Sequence, residues 1–247
     1  MPKLSILILT RNESANLPGC LDSVRGADEI VVVDDRSEDD TIALARAAGA
    51  KVVERKMDSF AGQRNFAQTQ AGGDWIFHLD ADERFSPGLS AAIRRHMELW
   101  PGAAGRVVRH SFAFGRRHRF GVLKPDRVTR LFPRGRVTWL GLVHERPVFD
   151  GPVRPLAGHL DHFTYNDWDQ HKVKLRRYAE LWAESARAQG RRSGPLTPWP
   201  RAGAGFLKMF FLNLGVLGGP AAWALCWRHA VYTLTKYRNL TSLSRHD

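Results

Sequence analysis

Apolar runs that end on polar or acidic residues, each followed by a helical pattern, constrain this chain more than any other feature. LSILILT (4–10) closes on Thr10, DEIVVVDD (28–35) on Asp34 and Asp35, and DWIFHLD (74–80) on Asp80, with Asp82 and Glu83 just beyond. A further strand-like run, AKVVER (50–55), lies between them. RNESANLPGCLDSV offers Asn12 or Ser14 as a helix cap ahead of Leu17, Leu21 and Val24. SEDDTIALARAAGA has Ser37 as cap, Asp40 three residues on and Gly49 at its end, and GQRNFAQTQAGG (62–73) reads as another helix. Strand and helix therefore alternate, which predicts an α/β fold with a mostly parallel sheet and helices on both faces. Such sheets bind ligands beyond the carboxyl ends of their strands, so the polar clusters are expected to meet at one edge.

From about residue 105 short strand-like pieces rich in Gly, Pro and Arg suggest an antiparallel extension. NDWDQHKVKLRRYAELWAESARAQG (166–190) reads as one helix with Val173, Leu175, Tyr178, Leu181 and Trp182 as its apolar face, and GPLTPWP (194–200) as a linker. This divides the chain into an α/β half (1–104), a mixed β part of the same domain (105–165) and a helical region (166–247). Lys and Arg exceed Asp and Glu by 37 to 25, a net charge of +12, which favours an anionic partner. The two cysteines, Cys20 and Cys226, have no metal-ligand spacing, so a zinc site or disulfide framework is not expected, and a reducing cytosol fits. The first residues lack the pattern of a secretory signal.

A D-x-D at a strand end, here Asp80 and Asp82, can present two oxygens to one hard divalent cation, with ligand phosphates completing the shell. By itself the motif is weak, since any acidic turn matches it. Its place after a strand in an alternating pattern strengthens it.

Taken in order, LTRNESANLPGCLDSV, DEIVVVDDRSEDDT, GQRNFA, DWIFHLDADER, DRVTRLF, LVHER, HFTYND and TKYRNL resemble the family 2 glycosyltransferases of the GT-A fold, especially the group like lipopolysaccharide-core β-glucosyltransferases. The resemblance implies inverting transfer of a sugar from a nucleotide-sugar, such as UDP-glucose, to a glycan or lipid-linked acceptor, with Mg or Mn as cofactor. It places Thr10, Arg11, Asn12, Glu13, Asp34 and Asp35 around the nucleoside, and Gln63, Arg64 and Asn65 near the diphosphate. Asp80 and Asp82 become the metal motif, with Asp80 also at the donor and Asp82 the more direct ligand. Glu145 is the expected general base with Asp126 in reserve, and His144 the expected contact to donor phosphates or metal. Arg116, Arg117 and Arg119, with Arg130, are expected to meet an anionic acceptor, and His78 is expected to pack rather than react. VLGGP (216–220) departs from the family's FLDG and loses an aspartate, which bears on the acceptor loop and not on the donor site.

Residues 205–227 are strongly apolar, yet Lys208, Asn213, Gly215, Gly218, Gly219 and Pro220 interrupt them, a poor fit to an unbroken spanning helix. Beyond Pro220, aromatic and cationic residues at helical spacing suit a membrane interface, so residues 205–240 are expected to attach peripherally to the inner face of the cytoplasmic membrane. Rival readings explain less. Net charge alone supports a nucleic-acid module, without a recognition motif, so nucleic acid is not an expected partner. A non-catalytic scaffold leaves the carboxylates without a use. A phosphatase using D-x-D as nucleophile would carry it on the first strand and have Thr or Val where Arg84 stands.

Overall fold

The computed structural model describes residues 1–141 and 145–244. The strands and helices begin with β1 (Leu4–Thr10), α1 (Leu17–Ser23), β2 (Glu29–Asp34), α2 (Thr41–Ala47), β3 (Lys51–Glu54) and α3 (Phe60–Thr69). There follow β4 (Trp75–Asp80), β5 (Glu83–Phe85), α4 (Leu89–Leu99), β6 (Ala104–Ala113), β7 (Arg116–Arg117), β8 (Asp126–Pro133), β9 (Val137–Leu140), β10 (Arg146–Phe149) and β11 (Val153–Tyr165). Helices α5 (Trp168–Ala188), α6 (Pro198–Leu207) and α7 (Gly219–Ser244) complete the order. The chain forms two compact units, Met1–Arg109 with Asp126–Phe163, and His110–Pro125 with Thr164–Asp247. Segment 110–125 thus groups with the carboxyl-terminal helices.

In the first unit the main sheet runs β3-β2-β1-β4-β8-β6-β11-β5. β1 lies between β2 and β4, parallel to both, and β3 joins β2 in parallel. β8 pairs antiparallel with β4 and β6, and β5 with β11, the antiparallel extension expected from the texture after residue 105. Residues of β1 alternate between two cores. Ile6 and Ile8 pack with Val32, Phe77 and Leu79 under α1, α2 and α4, while Leu7 joins Val31, Val33, Ile76, Phe132 and Trp139 near α3. A strand buried on both faces has no room for polar alternation, which is why its sequence reads as a continuous apolar run.

Two helix starts differ from expectation. α1 begins at Leu17, where Pro18 sets the first turn, while Asn12, at φ 52°, accepts from the Glu38 amide instead of capping. α2 begins at Thr41, because Ser37 is already bonded to Asp34 and the Asn12 amide; Asp39 accepts from the Thr41 amide at 3.1 Å.

In the second unit α7 packs on α5 and α6. Asp167 caps α5 by accepting from the amides of Asp169 and Gln170. The fully buried residues of α5 are His171, Ala179, Ala183 and Ala186, with Trp182 partly buried against them as expected from spacing, whereas Val173 and Tyr178 are exposed. Small side chains allow close approach between helices, a preference that a count of large apolar residues misses. The expected linker is shorter than its prolines suggest, since Pro198 opens α6. Beyond α6 the chain passes through a π-helical turn (Lys208–Leu212) and a 3-10 turn (Gly215–Gly218) into α7. Among the described residues no single helix is long and apolar enough to cross a membrane; Pro198–Leu212 and Gly215–Ser244 pass that test only as a pair bent by 66°.

Gly73, just before β4, is fixed by space. A Cβ there would lie 2.7 Å from Ser5 Oγ and 2.9 Å from both Lys3 O and Ser5 N. Gly73→Ala is expected to destabilise by about 1–3 kcal/mol in urea unfolding, whereas Gly26→Ala, with nothing within 4 Å of its Cβ, should change stability by less than about 0.5 kcal/mol.

Candidate functional site

Parallel register brings the strand ends together. Thr10 pairs with Asp34, and Leu9 with Asp80, so the carboxyl ends of β1, β2 and β4 share one edge of the sheet. Asp34 is fully buried and its oxygens accept from Thr10 Oγ1 (2.7 Å), the Ser37 amide (2.7 Å) and Ser37 Oγ (2.6 Å). Asp35 accepts from the Met57 amide and from Arg11 Nη1, both at 2.8 Å. Both aspartates thus shape the loops around the edge. Arg11, whose side chain is 65% exposed, reaches into open space. Glu13 accepts from Asn16 Nδ2, fixing the turn into α1.

The centre of the site is an alternating chain of charges. Asp80 accepts from Arg64 Nη2 on one oxygen and Arg130 Nη2 on the other, both at 2.6 Å. Arg64 also lies 3.4 Å from Glu145 Oε1. Arg130 reaches Glu83 Oε1 at 3.2 Å; the same oxygen takes Arg109 Nη1 at 3.1 Å. Arg109 then forks onto Asp126, at 3.0 and 2.7 Å. Four carboxylates (Glu145, Asp80, Glu83, Asp126) thus alternate with three guanidinium groups (Arg64, Arg130, Arg109). Burial opposes ionisation of Asp80, but Arg130 and Arg64 outweigh it and hold its carboxyl well below the usual range.

Within Q-R-N only Arg64 faces this chain. Gln63 is buried, donating to Arg55 O at 3.0 Å and accepting from the Arg55 guanidinium. Asn65 clamps the backbone of Trp139 with two 2.9 Å bonds, one to its carbonyl and one from its amide. That clamp seats the Trp139 ring 4.8 Å from the Arg64 guanidinium. Gln63 and Asn65 are thus engaged within the protein, Gln63 with Arg55 and Asn65 with the Trp139 backbone, while Arg64 lies against the Trp139 ring. His78 packs as expected, accepting from Trp139 Nε1 at 3.1 Å, with burial pushing its pKa well down. Arg84 is equally structural, lying 4.1 Å over the Phe163 ring and against Gly19 of α1.

Asp80 and Asp82 are not equivalent. Each oxygen of Asp80 already accepts from an arginine, so a cation there would share the carboxylate with two guanidinium groups. Asp82 has one oxygen 3.2 Å from His162 Nε2, and its other oxygen has no partner among the described residues. A carboxylate beside an imidazole suits Mg or Mn, which take oxygen and, for Mn, nitrogen donors. Burial works against protonation of His162, but the Asp82 hydrogen bond and the charges of Asp82 and Glu83 raise its pKa. His162 and Glu83, neither chosen from sequence, carry as much of the site as the motif itself; the only signal was their place in HFTYND and DADER.

Glu145 is part-buried beside Arg64, whereas both oxygens of Asp126 are held by Arg109. Glu145, Arg130 and Trp139 help line a cavity of about 380 Å³. Arg116, Arg117 and Arg119 belong to the second unit, where they line a separate cavity of about 250 Å³ with Phe120 and Leu217. His144 lies outside the described residues.

Residues 5–144 match the sequence model of Glycosyl transferase family 2. The chain belongs to that family. It is 32% identical over 203 residues to the lipopolysaccharide core biosynthesis glycosyltransferase LpsC of Rhizobium meliloti, across 78% of this chain and 75% of that protein. It is 42% identical over 94 residues to an uncharacterized glycosyltransferase of Rickettsia felis, across 38% of this chain; the match spans 33% of that relative's length. A solved structure of glucosyl-3-phosphoglycerate synthase from Mycobacterium tuberculosis with Mn2+, uridine-diphosphate and glucosyl-3-phosphoglycerate aligns over 46% of this chain and 45% of that one, with 23% identity and a TM-score of 0.38.

Glu83 is fully buried and serves two arginines at once. Glu83→Ala removes a buried partner of both arginines, leaving Arg130 only Asp80 and Arg109 only Asp126, and should cost about 3–5 kcal/mol in denaturant unfolding. Asp126→Ala, at a half-exposed pair, should cost only about 0–1 kcal/mol.

Proposed function

We propose that the chain is an inverting glycosyltransferase that moves a sugar from a nucleotide-sugar, a UDP-hexose such as UDP-glucose, to a glycan or lipid-linked acceptor of the lipopolysaccharide-core kind. The observation that carries this reading is the convergence of the β1, β2 and β4 ends on one edge, with Arg64, Asp82 and Glu145 gathered beside it. Family membership and the LpsC relative support the donor class and the acceptor kind.

In this reading Arg11 and the loops shaped by Asp34 and Asp35 receive the nucleoside. Arg64, fixed by Trp139 and Asp80, offers guanidinium donors to the diphosphate. Asp82 and His162 hold the divalent cation, which when bound neutralises charge on the departing diphosphate. Glu145 takes the acceptor hydroxyl's proton as that oxygen attacks the anomeric carbon opposite the leaving group, and the sugar–phosphate bond breaks. Arg64 orients this carboxylate. Asp126 is the weaker candidate, since both its oxygens are already engaged by Arg109.

UDP should raise the melting temperature by mass action, and Mg or Mn should enlarge the shift. Asp82→Asn should abolish the metal-dependent part. Glu145→Gln should keep UDP binding while transfer falls by about 10²–10⁴-fold; full turnover in that variant removes Glu145 from the mechanism. Absence of any UDP shift, with or without metal, removes the donor assignment.

Peripheral attachment to the cytoplasmic leaflet is part of the same proposal. Trp223, Trp227 and Val231 form an exposed stripe at i, i+4, i+8 on α7, and Phe211, Leu212 and Leu217 are exposed on the turns before it. Lys208 lies among them. Apolar residues at a bent helical tip with cations nearby suit a bilayer interface. The full-length chain should co-sediment with vesicles containing anionic lipid, and Trp227→Ser with Leu212→Ser should reduce the bound fraction several-fold; equal sedimentation of the two proteins overturns this surface.

A further inference from the structure

The cavity of about 380 Å³ beside Glu145 carries more positive charge than the first unit's own carboxylates neutralise. Five arginines line it (Arg106, Arg109, Arg127, Arg130 and Arg146), with Glu145 the one carboxylate in the lining among the described residues. Arg109 and Arg130 are matched by Asp126, Glu83 and Asp80. Arg106, Arg127 and Arg146 are exposed and have no ion pair within the described residues; Arg106 has one long bond, 3.5 Å, to Thr129 Oγ1. Arg130 is 95% buried, since 5% is exposed, and its Nε has no partner among the described residues. Three like charges around one concavity repel one another, and their mutual repulsion falls when an anion enters. Guanidinium groups also fit the oxygens of phosphate and carboxylate as paired donors. The volume is in the range of small-ligand sites.

We infer that this cavity is an anion-binding subsite for the acceptor: Arg106, Arg127 and Arg146 hold a phosphate or carboxylate on the acceptor sugar while its hydroxyl faces Glu145. This rests on the transfer reading and deepens it by naming the acceptor's chemistry. It also moves acceptor recognition away from Arg116, Arg117 and Arg119, which line a different cavity in the other unit. The site chooses acceptors by charge: a sugar lacking the anionic substituent leaves three arginines without a partner, and so binds more weakly.

The test uses the full chain and inorganic phosphate, measured by calorimetry at low salt, with UDP plus Mg2+ measured in parallel. Wild type should bind phosphate, and Arg127→Ser and Arg146→Ser should each weaken it by about tenfold. Both residues are exposed, so melting temperature should be unchanged, and UDP binding should be unchanged too. Raising salt should weaken the phosphate complex. Methyl phosphate binding tighter than acetate supports a phosphorylated acceptor, and the reverse order supports an acidic sugar. Failure of wild type to bind phosphate or acetate, or equal binding by both variants, overturns the subsite. Joint loss of phosphate and UDP in the variants also overturns it, because the cavity then serves the donor's diphosphate. A wild type that ignores UDP yet binds phosphate through these arginines keeps the anion site and sinks the transfer reading instead.

Discussion

Asp80 held between Arg64 and Arg130 is the interaction on which the site's geometry depends. It joins α3 to the end of β4 and to β8, and through Glu83 it joins β5 and β6 to the same point. The bonds are short, and several of the partners are buried, so removing one charge strands the next. This cost keeps the chain of charges intact and fixes the Arg64 guanidinium against the Trp139 ring. A loop-borne arginine without such partners would lose side-chain entropy on binding; here folding has already ordered it.

The same arrangement separates two tasks that the D-x-D motif places two residues apart. Asp80 serves the protein, by organising arginines. Asp82 lies in the turn between β4 and β5, where strand alternation no longer sets its direction, and it has a histidine beside it. Asn65 and Arg64 divide labour in a similar way, the amide building the Trp139 wall and the guanidinium lying against it.

Much of the first unit was legible in sequence because its elements carry local signals. β1, β2 and β4 are buried on both faces, so their apolar runs are unbroken, and their acidic ends mark the functional edge. Legibility ended where partners are distant along the chain. Glu83 meets Arg109 26 positions away, Asn65 meets Trp139 74 away and Asp82 meets His162 80 away. Those pairings join different elements, strand to strand, helix to strand and turn to strand, which the pattern of any one element does not encode. Helix starts failed for a nearer reason, as Asn12 and Ser37 found better bonds across the β1–β2 edge than at a helix end. In α5 the face was read only in part: Trp182 packs inward, but the alanines beside it, which add little to a hydrophobic pattern, allow the closest packing.

The sequence by itself determined the α/β alternation, the edge at which the acidic strand ends meet and the family to which the order of motifs belongs, since each rests on residues close together in the chain. Tertiary structure alone decided which of those residues have their bonding capacity used within the protein. Burial and pairing turned Asp34, Gln63, Asn65 and Asp80 inward to build the site, and left Arg11, Asp82, Glu145 and three unpaired arginines with capacity for something outside the protein. The physical reason is that a polar group's capacity for hydrogen bonds is finite, and only folding shows which partners have already used it.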